Sequence, residues 1–482
     1  MPEYKNYIDG EWVESVSGET LDVVNPADTD DVVGTFQRSN EEDTNRAVEA
    51  AVEASEDWVN TPGPSKGGIL RETARHLEDR EDELTELLSR EEGKTLSEAG
   101  GEVGRAVNIF YYYAEKAKDL GGINKEPSDQ HSNLYTVKEP MGVAGLITPW
   151  NYPIAIPAWK MAPALATGNT VVMKPDTTAP NVARALFEAL DEAGLPDGVA
   201  NFVTGPGSEV GSTITNHANV DLVSFTGSRQ VGDMIYEQAT DDHKRVQTEL
   251  GSKNPSVVMP SADLDTAVNI VASGAFGVTG QACTGTERVL VHESMYDEFV
   301  DGLVDYAENL AIGPGVDDPG MGPHVDEDQL EGTLDYVEQG KDEGATLTYG
   351  GERLTGDDYD NGYFIKPTIF TDVESDMQIM QEEVFGPFVG VMPVSDLDEA
   401  IEITNDVEFG LSAGIITENH TEVNRFVDEV DFGVIKVNEA TTGLELHVPF
   451  GGLNASSSET YREQGDQAIE FYTIIKTVYE NY

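Results

Sequence analysis

One cysteine, Cys283, stands among 482 residues, which excludes an intramolecular disulfide and any cysteine-rich metal site. Basic residues are scarce: 29 Lys and Arg face 90 Asp and Glu, for a formal net charge of −61. A field of that sign repels phosphates and anionic headgroups, so nucleic acid and membrane surfaces are poor partners. Long apolar runs are also missing. The best span, residues 141–166, is broken by Pro149, Asn151, Pro153, Pro157 and Lys160. It falls short of the roughly 20 unbroken apolar residues that a membrane helix needs. The opening MPEYKNYIDGEW has no basic-then-apolar leader pattern, so a soluble, cytoplasmic protein is expected. No group of His, Cys and Asp shows metal-ligand spacing, and no metal is expected. A Gly-x-Gly-x-x-Gly fingerprint is absent too, Gly205-Pro206-Gly207 being only a partial echo.

The acids that are present are spread along the chain, as in Glu41-Glu42-Asp43, Glu81-Asp82-Glu83 and Asp357-Asp358-Tyr359-Asp360. A binding tail would concentrate them in one block. A spread coat with few lysines suits a salt-rich cytosol, where screening weakens self-repulsion, and predicts a halophilic protein. Hydrophobic residues make up 39% and aromatics 8%, enough for real cores in a chain of several domain-sized units.

Periodicity predicts helices over 41–59, 66–92 and 97–119, and a strand over 133–141. From Val143 the pattern alternates. Apolar runs at 143–148, 170–174, 200–203 and 220–225 are separated by helical segments, and a second alternating region spans 252–440. Within it, strand 256–259, helix 264–276, strand 288–292 and helix 295–310 are predicted, with later strands at 346–349, 366–370, 388–393 and 412–416. That rhythm argues for α/β architecture with mainly parallel sheets.

Four motifs carry chemistry. Cys283 lies in Thr-Gly-Gln-Ala-Cys-Thr-Gly, residues 279–285. A lone cysteine is more often a small buried hydrophobe than a nucleophile. Here Gly280 and Gly285 bracket it and no apolar periodicity passes through it, which suits an accessible thiol at a turn leading into a helix, where the dipole favours thiolate. Glu249 ends a strand-like run, the position where α/β folds place active sites, although a surface acid would be the ordinary reading. Asn151 sits between Pro149 and Pro153, which hold its amide as a donor to a developing oxyanion or simply shape a turn. Phe225-Thr226-Gly227-Ser228 joins a strand to a helix and leaves N–H groups open to a phosphate, a weak signal alone.

Taken together, from about residue 7 to the C-terminus, the chain resembles the aldehyde dehydrogenase superfamily. The motifs Pro149–Pro153, Lys174-Pro175, Phe225–Ser228, Glu249–Lys253, Gly280–Cys283, Glu382–Pro387 and Pro449–Gly452 occur in the family's order and spacing. The resemblance implies a Rossmann-type cofactor domain (1–122 and 142–251), an α/β catalytic domain (252–468) and a β oligomerisation arm (123–141 and 469–482) giving a homodimer or homotetramer. It implies that Cys283 attacks an aldehyde, that Asn151 and the Cys283 N–H hold the oxyanion, and that Glu249 activates the water that hydrolyses a thioester. Glu463 and Lys160 would support the proton path. Trp150 and Ser228 would flank the dinucleotide pyrophosphate, Lys174 would bond the adenosine ribose, and Glu383 and Phe385 would position the nicotinamide end.

Three positions depart from the family pattern. Thr177 stands where many NAD-preferring relatives carry a glutamate, which favours NADP, with NAD possible. Ser252 replaces a glycine, and Asn454 a lysine. The runs Ile156–Lys160, Phe225–Arg229, Arg462–Gly465 and Glu470–Thr473 resemble 2-oxoglutarate semialdehyde (2,5-dioxopentanoate) dehydrogenases of pentose and sugar-acid breakdown. A succinate semialdehyde or broad aliphatic aldehyde substrate is the alternative. A carboxylated aldehyde calls for a cationic pocket, and Arg288 is the candidate nearest in sequence. A cysteine hydrolase would need a partnered histidine, and the eight histidines show no such signature. A non-catalytic structural relative would not need Cys283, Glu249 and Asn151 together.

Overall fold

The apolar runs from Val143 onward become parallel strands because helices bury both of their faces. The computed structural model describes residues 2–356 and 359–482, so Asp357 and Asp358 of the acidic stretch lie outside the described residues. One sheet contains β1 (Asn6–Ile8), β2 (Glu11–Val13), β3 (Val143–Ile147), β4 (Thr170–Lys174), β5 (Ala200–Phe202), β6 (Leu222–Thr226) and β7 (Arg245–Glu249). Their order is β7-β6-β3-β4-β5-β1-β2. The five strands from β7 to β5 run parallel, and β1 and β2 add antiparallel at one edge. From β3 the chain winds outward to β4 and β5, then returns to lay β6 and β7 on the other side of β3. Such a reversal opens a crevice beyond the carboxyl ends of β3 and β6, where open α/β sheets bind ligands.

A second sheet is built from β8 (Asn254–Val258), β9 (Thr286–His292), β10 (Thr346–Tyr349), β11 (Thr368–Thr371), β12 (Phe388–Val394), β13 (Ser412–Ile416) and β14 (Val434–Val437). Its order is β10-β11-β12-β9-β8-β13-β14, parallel except for β10. A three-stranded antiparallel sheet pairs Ser132–Pro140 with Thr473–Asn481 on one side and Asn124–Lys125 on the other.

Two helices frame the site. α1 (Leu96–Lys116) starts on a capping box in which the Thr95 side chain accepts from the Glu98 N–H while Glu98 accepts from Thr95. Its Val103, Ala106, Val107 and Phe110 are buried in the same core as α2 (Ala155–Thr167). Every residue of α2 is buried, Lys160 included, so the longest apolar stretch of the sequence is an internal helix. Among the described residues no helix is long and apolar enough to cross a membrane.

The continuous helix expected over 66–92 is two helices, Gly63–Glu78 and Glu81–Glu92. Arg80 breaks them with φ −112° and ψ 14°, and its guanidinium bridges Glu83 and Glu188. Residues 469–472 belong to the helix Gln467–Tyr472, whose Ala468, Ile469, Phe471 and Tyr472 join the core around α2.

Candidate active site

Cys283 follows a left-handed passage of backbone. After helix Leu264–Phe276, Val278, Thr279 and Gly280 take φ of 51°, 55° and 67°. Two β-branched residues persist there because their surroundings over-determine them. The Val278 N–H donates to Glu98 at 2.6 Å, the Thr279 hydroxyl donates to the Gly322 carbonyl at 3.1 Å, and the Gln281 side chain accepts from the Val325 N–H at 3.0 Å. Gly280 is required, since a Cβ would lie 2.0 Å from the Gly386 carbonyl oxygen.

The turn leads into strand β9 and not into a helix, so no helix N-terminus favours a thiolate at Cys283. Burial raises the thiol's pKa above the ordinary cysteine range, as do the carboxylates of Glu383, Glu249 and Glu463. Asn254, the first residue of β8, fastens the turn: its amide donates to the carbonyls of Cys283 and Gly285, both at 2.8 Å. Sequence reasoning missed it, although a buried asparagine opening an apolar strand was a visible signal.

Asn151 leaves the carboxyl end of β3 and is buried. Its Nδ2 donates to the Gln281 carbonyl at 2.9 Å, which ties the amide to the turn that carries the thiol. The Asn151 carbonyl accepts from Lys94 Nζ at 2.8 Å, and Lys94 is paired with Glu102 at 2.6 Å. Glu102 also accepts the N–H groups of Ile154 and Ala155 at 3.0 and 3.1 Å. Lys94 and Glu102 were missed too, because nothing local in the sequence marks an ion pair that spans two elements.

Glu249 ends β7, accepting from the Gly452 N–H at 3.0 Å and the Ser457 hydroxyl at 3.2 Å. Burial first, and then the Glu463 carboxylate, hold its pKa well above the usual carboxylate range, against the pull of Lys160 and Arg462. Glu463 pairs with Lys160, whose Nζ also donates to Ser224 at 2.7 Å. The structure thus brings Glu249, Glu463 and Lys160 together behind the thiol.

Cys283 lines two chambers. One, of about 210 Å³, is walled by Asn151, Trp150, Ser228, Glu383 and Phe385. It shares Pro149, Trp150, Thr226, Gly227 and Ser228 with a groove of about 630 Å³ that also holds Lys174 and Thr177. The other chamber, about 230 Å³, is lined by Tyr152, Trp159, Thr284 and Arg105. Glu249, Glu463 and Lys160 line neither chamber. The Trp150 and Phe385 rings meet edge-on at 5.4 Å. Glu383 accepts from the Ser252 N–H at 2.8 Å, and burial with the nearby Glu287 pushes its pKa up to about 8. That N–H is one a glycine would also supply, and the Ser252 hydroxyl adds a bond by accepting from the Leu411 N–H at 3.3 Å. Lys174 Nζ donates to the Pro175 carbonyl at 2.7 Å, and burial lowers its pKa.

Arg288 does not reach either chamber. It is fully buried and donates to the carbonyls of Lys253, Ile403 and Thr404 at 3.0, 2.9 and 3.0 Å, a strut between strands and a helix.

The groove and inner chamber suit a dinucleotide. The groove runs along the crevice between β3 and β6, and helix Arg229–Asp241 opens onto it with no side-chain cap from Ser228, so its first N–H groups remain open to a phosphate.

Known aldehyde dehydrogenases resemble the chain over nearly its whole length. The alpha-ketoglutarate semialdehyde dehydrogenase of Haloferax volcanii is 60% identical over 99% of both chains. The 2,5-dioxopentanoate dehydrogenase of Saccharolobus solfataricus is 44% identical over 100% of both. An NAD+ complex of an aldehyde dehydrogenase from Bacillus cereus superposes with a TM-score of 0.96 at 38% identity, covering 99% of this chain and 96% of that one. The aldehyde dehydrogenase family model matches residues 12–478. The chain is thus an oxidoreductase and belongs to the aldehyde dehydrogenase family.

Proposed function

We propose that this protein oxidises 2-oxoglutarate semialdehyde to 2-oxoglutarate, with NADP as the preferred acceptor, through a thioester on Cys283. The observation that carries the reading is the shared wall. Cys283 lines both the chamber that adjoins the dinucleotide-sized groove and a second chamber of about 230 Å³. The names of the two relatives point to the same five-carbon oxo-acid aldehyde.

The aldehyde enters the chamber of Tyr152 and Trp159, and Cys283, as thiolate, bonds to its carbonyl carbon. Negative charge gathers on the former carbonyl oxygen, where the Asn151 amide and the Cys283 N–H donate to it. When bound, the dinucleotide supplies the two-electron acceptor that the oxidation requires. Glu249 then takes a proton from the water that cleaves the thioester, and its raised pKa makes it a stronger base than an ordinary carboxylate. To do so its side chain exchanges the Gly452 and Ser457 contacts for that water, and the Lys160–Glu463 pair passes the proton onward.

Trp150 and Ser228 would hold the pyrophosphate, Lys174 and Thr177 the adenosine ribose and its 2′ substituent, and Glu383 with Phe385 the nicotinamide end. NADP is favoured because Thr177 brings no charge against a 2′-phosphate; one oxygen of Asp176, which also lines the groove, accepts from the Thr178 N–H at 2.9 Å. On this reading residues 1–122 and 142–251 serve the cofactor and 252–468 the chemistry. The arm of 123–141 and 469–482 pairs protomers into a dimer or tetramer through exposed Ile474, Ile475 and Tyr479. The acidic coat suits a salt-rich cytoplasm.

Initial rates of NADPH and NADH formation at high salt test the reading, with 2-oxoglutarate semialdehyde, succinate semialdehyde and a simple aliphatic aldehyde as substrates. Preference for the oxo-acid aldehyde with NADP is expected. Equal turnover of the others overturns the substrate, and strict use of NAD overturns the cofactor choice.

A further inference from the structure

We propose that Arg105 anchors the carboxylate of the substrate, which makes the chamber in front of Cys283 selective for an aldehyde bearing an acid at its far end. This rests on the oxo-acid reading above and adds the residue responsible for it.

Arg105 projects from α1 and, among the described residues, is the one cation lining that chamber. Two acids, Glu98 and Glu102, line it as well, but their oxygens are already occupied. Glu98 accepts from the Val278 N–H at 2.6 Å and the Thr95 N–H at 2.9 Å, and Glu102 from Ile154, Ala155 and Lys94. Lys94 compensates the charge of Glu102, while Glu98, held by neutral N–H groups, keeps its charge and must be outweighed by Arg105.

The guanidinium is different. Its two bonds within the protein go to neutral acceptors, the Leu444 carbonyl and the Gln464 side chain, the latter at 2.7 Å. In a chain with 90 acidic and 29 basic residues, a partly buried arginine that holds no carboxylate is poised to take one from outside. A guanidinium offers five N–H donors in a planar fork, so three remain, and that fork matches a carboxylate bidentately. The centre of the Trp159 ring lies 5.8 Å from its guanidinium carbon, within cation–π range. The Tyr152 hydroxyl, without a partner among the described residues, offers a further donor on the same wall.

The test compares wild type, Arg105→Met and Arg105→Lys on 2-oxoglutarate semialdehyde and on pentanal, an uncharged aldehyde of equal length. KM and kcat are measured separately, with glutarate as a competitive inhibitor. Arg105→Met should raise KM for the oxo acid and Ki for glutarate about 10- to 100-fold, the loss typical of a bond to a charged group. Pentanal turnover should be nearly unchanged, which also shows that the variant is folded, and Arg105→Lys should recover part of the loss. Should Arg105→Met not fold, Arg105→Lys alone must still show the larger penalty on the charged substrate. Equal losses on both aldehydes would mean that Arg105 only fastens the loops at Leu444 and Gln464, and would overturn the proposal, as would no loss at all. If wild type itself prefers pentanal, the oxo-acid reading fails and the anchor with it. If wild type prefers the oxo acid and Arg105→Met still does, the anchor alone fails.

Discussion

The side-chain amide of Asn151 donates to the carbonyl of Gln281 at 2.9 Å, two residues ahead of Cys283, so the donor and the nucleophile are held by one turn. Asn151→Ala removes an oxyanion donor without touching the groove. It should lower kcat about 10²–10³-fold while dinucleotide affinity, measured by fluorescence titration, is kept. A variant that retains wild-type kcat would show that the amide is structural.

Cys283 begins as a thiol whose pKa is raised by burial and, next, by Glu383. Alkylation by iodoacetamide should therefore accelerate as pH rises, the reactive thiolate being the minor form at neutrality. Glu383→Gln removes the largest charge opposing ionisation. At a fixed pH above about 8, where Glu383 is ionised, and without dinucleotide, it should speed alkylation about three- to tenfold. Slower or unchanged alkylation would contradict this electrostatic account.

A general base must be unprotonated, so hydrolysis of the acyl-enzyme should be present above the raised pKa of Glu249 and lost as pH falls through it. Glu463→Gln removes the neighbouring charge that raises this pKa and leaves Lys160 to act on Glu249 alone. The acid limb of deacylation should move down by about one pH unit. A limb that stays in place, or moves up, would show that the Glu463 charge does not raise the pKa of Glu249.

The net charge of −61 makes the folded chain repel itself. Raising KCl from about 0.1 M to about 1 M shortens the screening length from about 10 Å to about 3 Å, and Tm should climb with it. A flat or falling Tm by calorimetry would mean that the acidic coat does not require salt.

Much of this architecture was legible in periodicity. Helix Leu264–Phe276 and the strands Thr346–Tyr349 and Ser412–Ile416 coincide with the predicted spans, since each is an uninterrupted pattern bounded by turn residues. The break at Arg80 was hidden because its cause is a long-range bond to Glu188. Strands β1 and β2 were missed, being three residues each and held by pairing and not by pattern. The residues around Cys283 were visible as motifs, but their surroundings were not. Arg288 is near in sequence and turns away into a strut, whereas Arg105, far off on α1, faces the chamber. Which cation serves a pocket depends on how helices pack, and one-dimensional spacing carries no record of that.

A thioester on Cys283 made from the oxo-acid aldehyde can be read directly by intact-protein mass spectrometry. Glu249→Gln, mixed with 2-oxoglutarate semialdehyde and NADP at high salt, should lose its catalytic base and stall as acyl-enzyme. The account predicts a mass gain of one 2-oxoglutaryl group, two hydrogens lighter than simple addition of the aldehyde, placed on Cys283 by peptide mapping and absent in Cys283→Ala. An unmodified Cys283, or sustained product formation by Cys283→Ala, would contradict it.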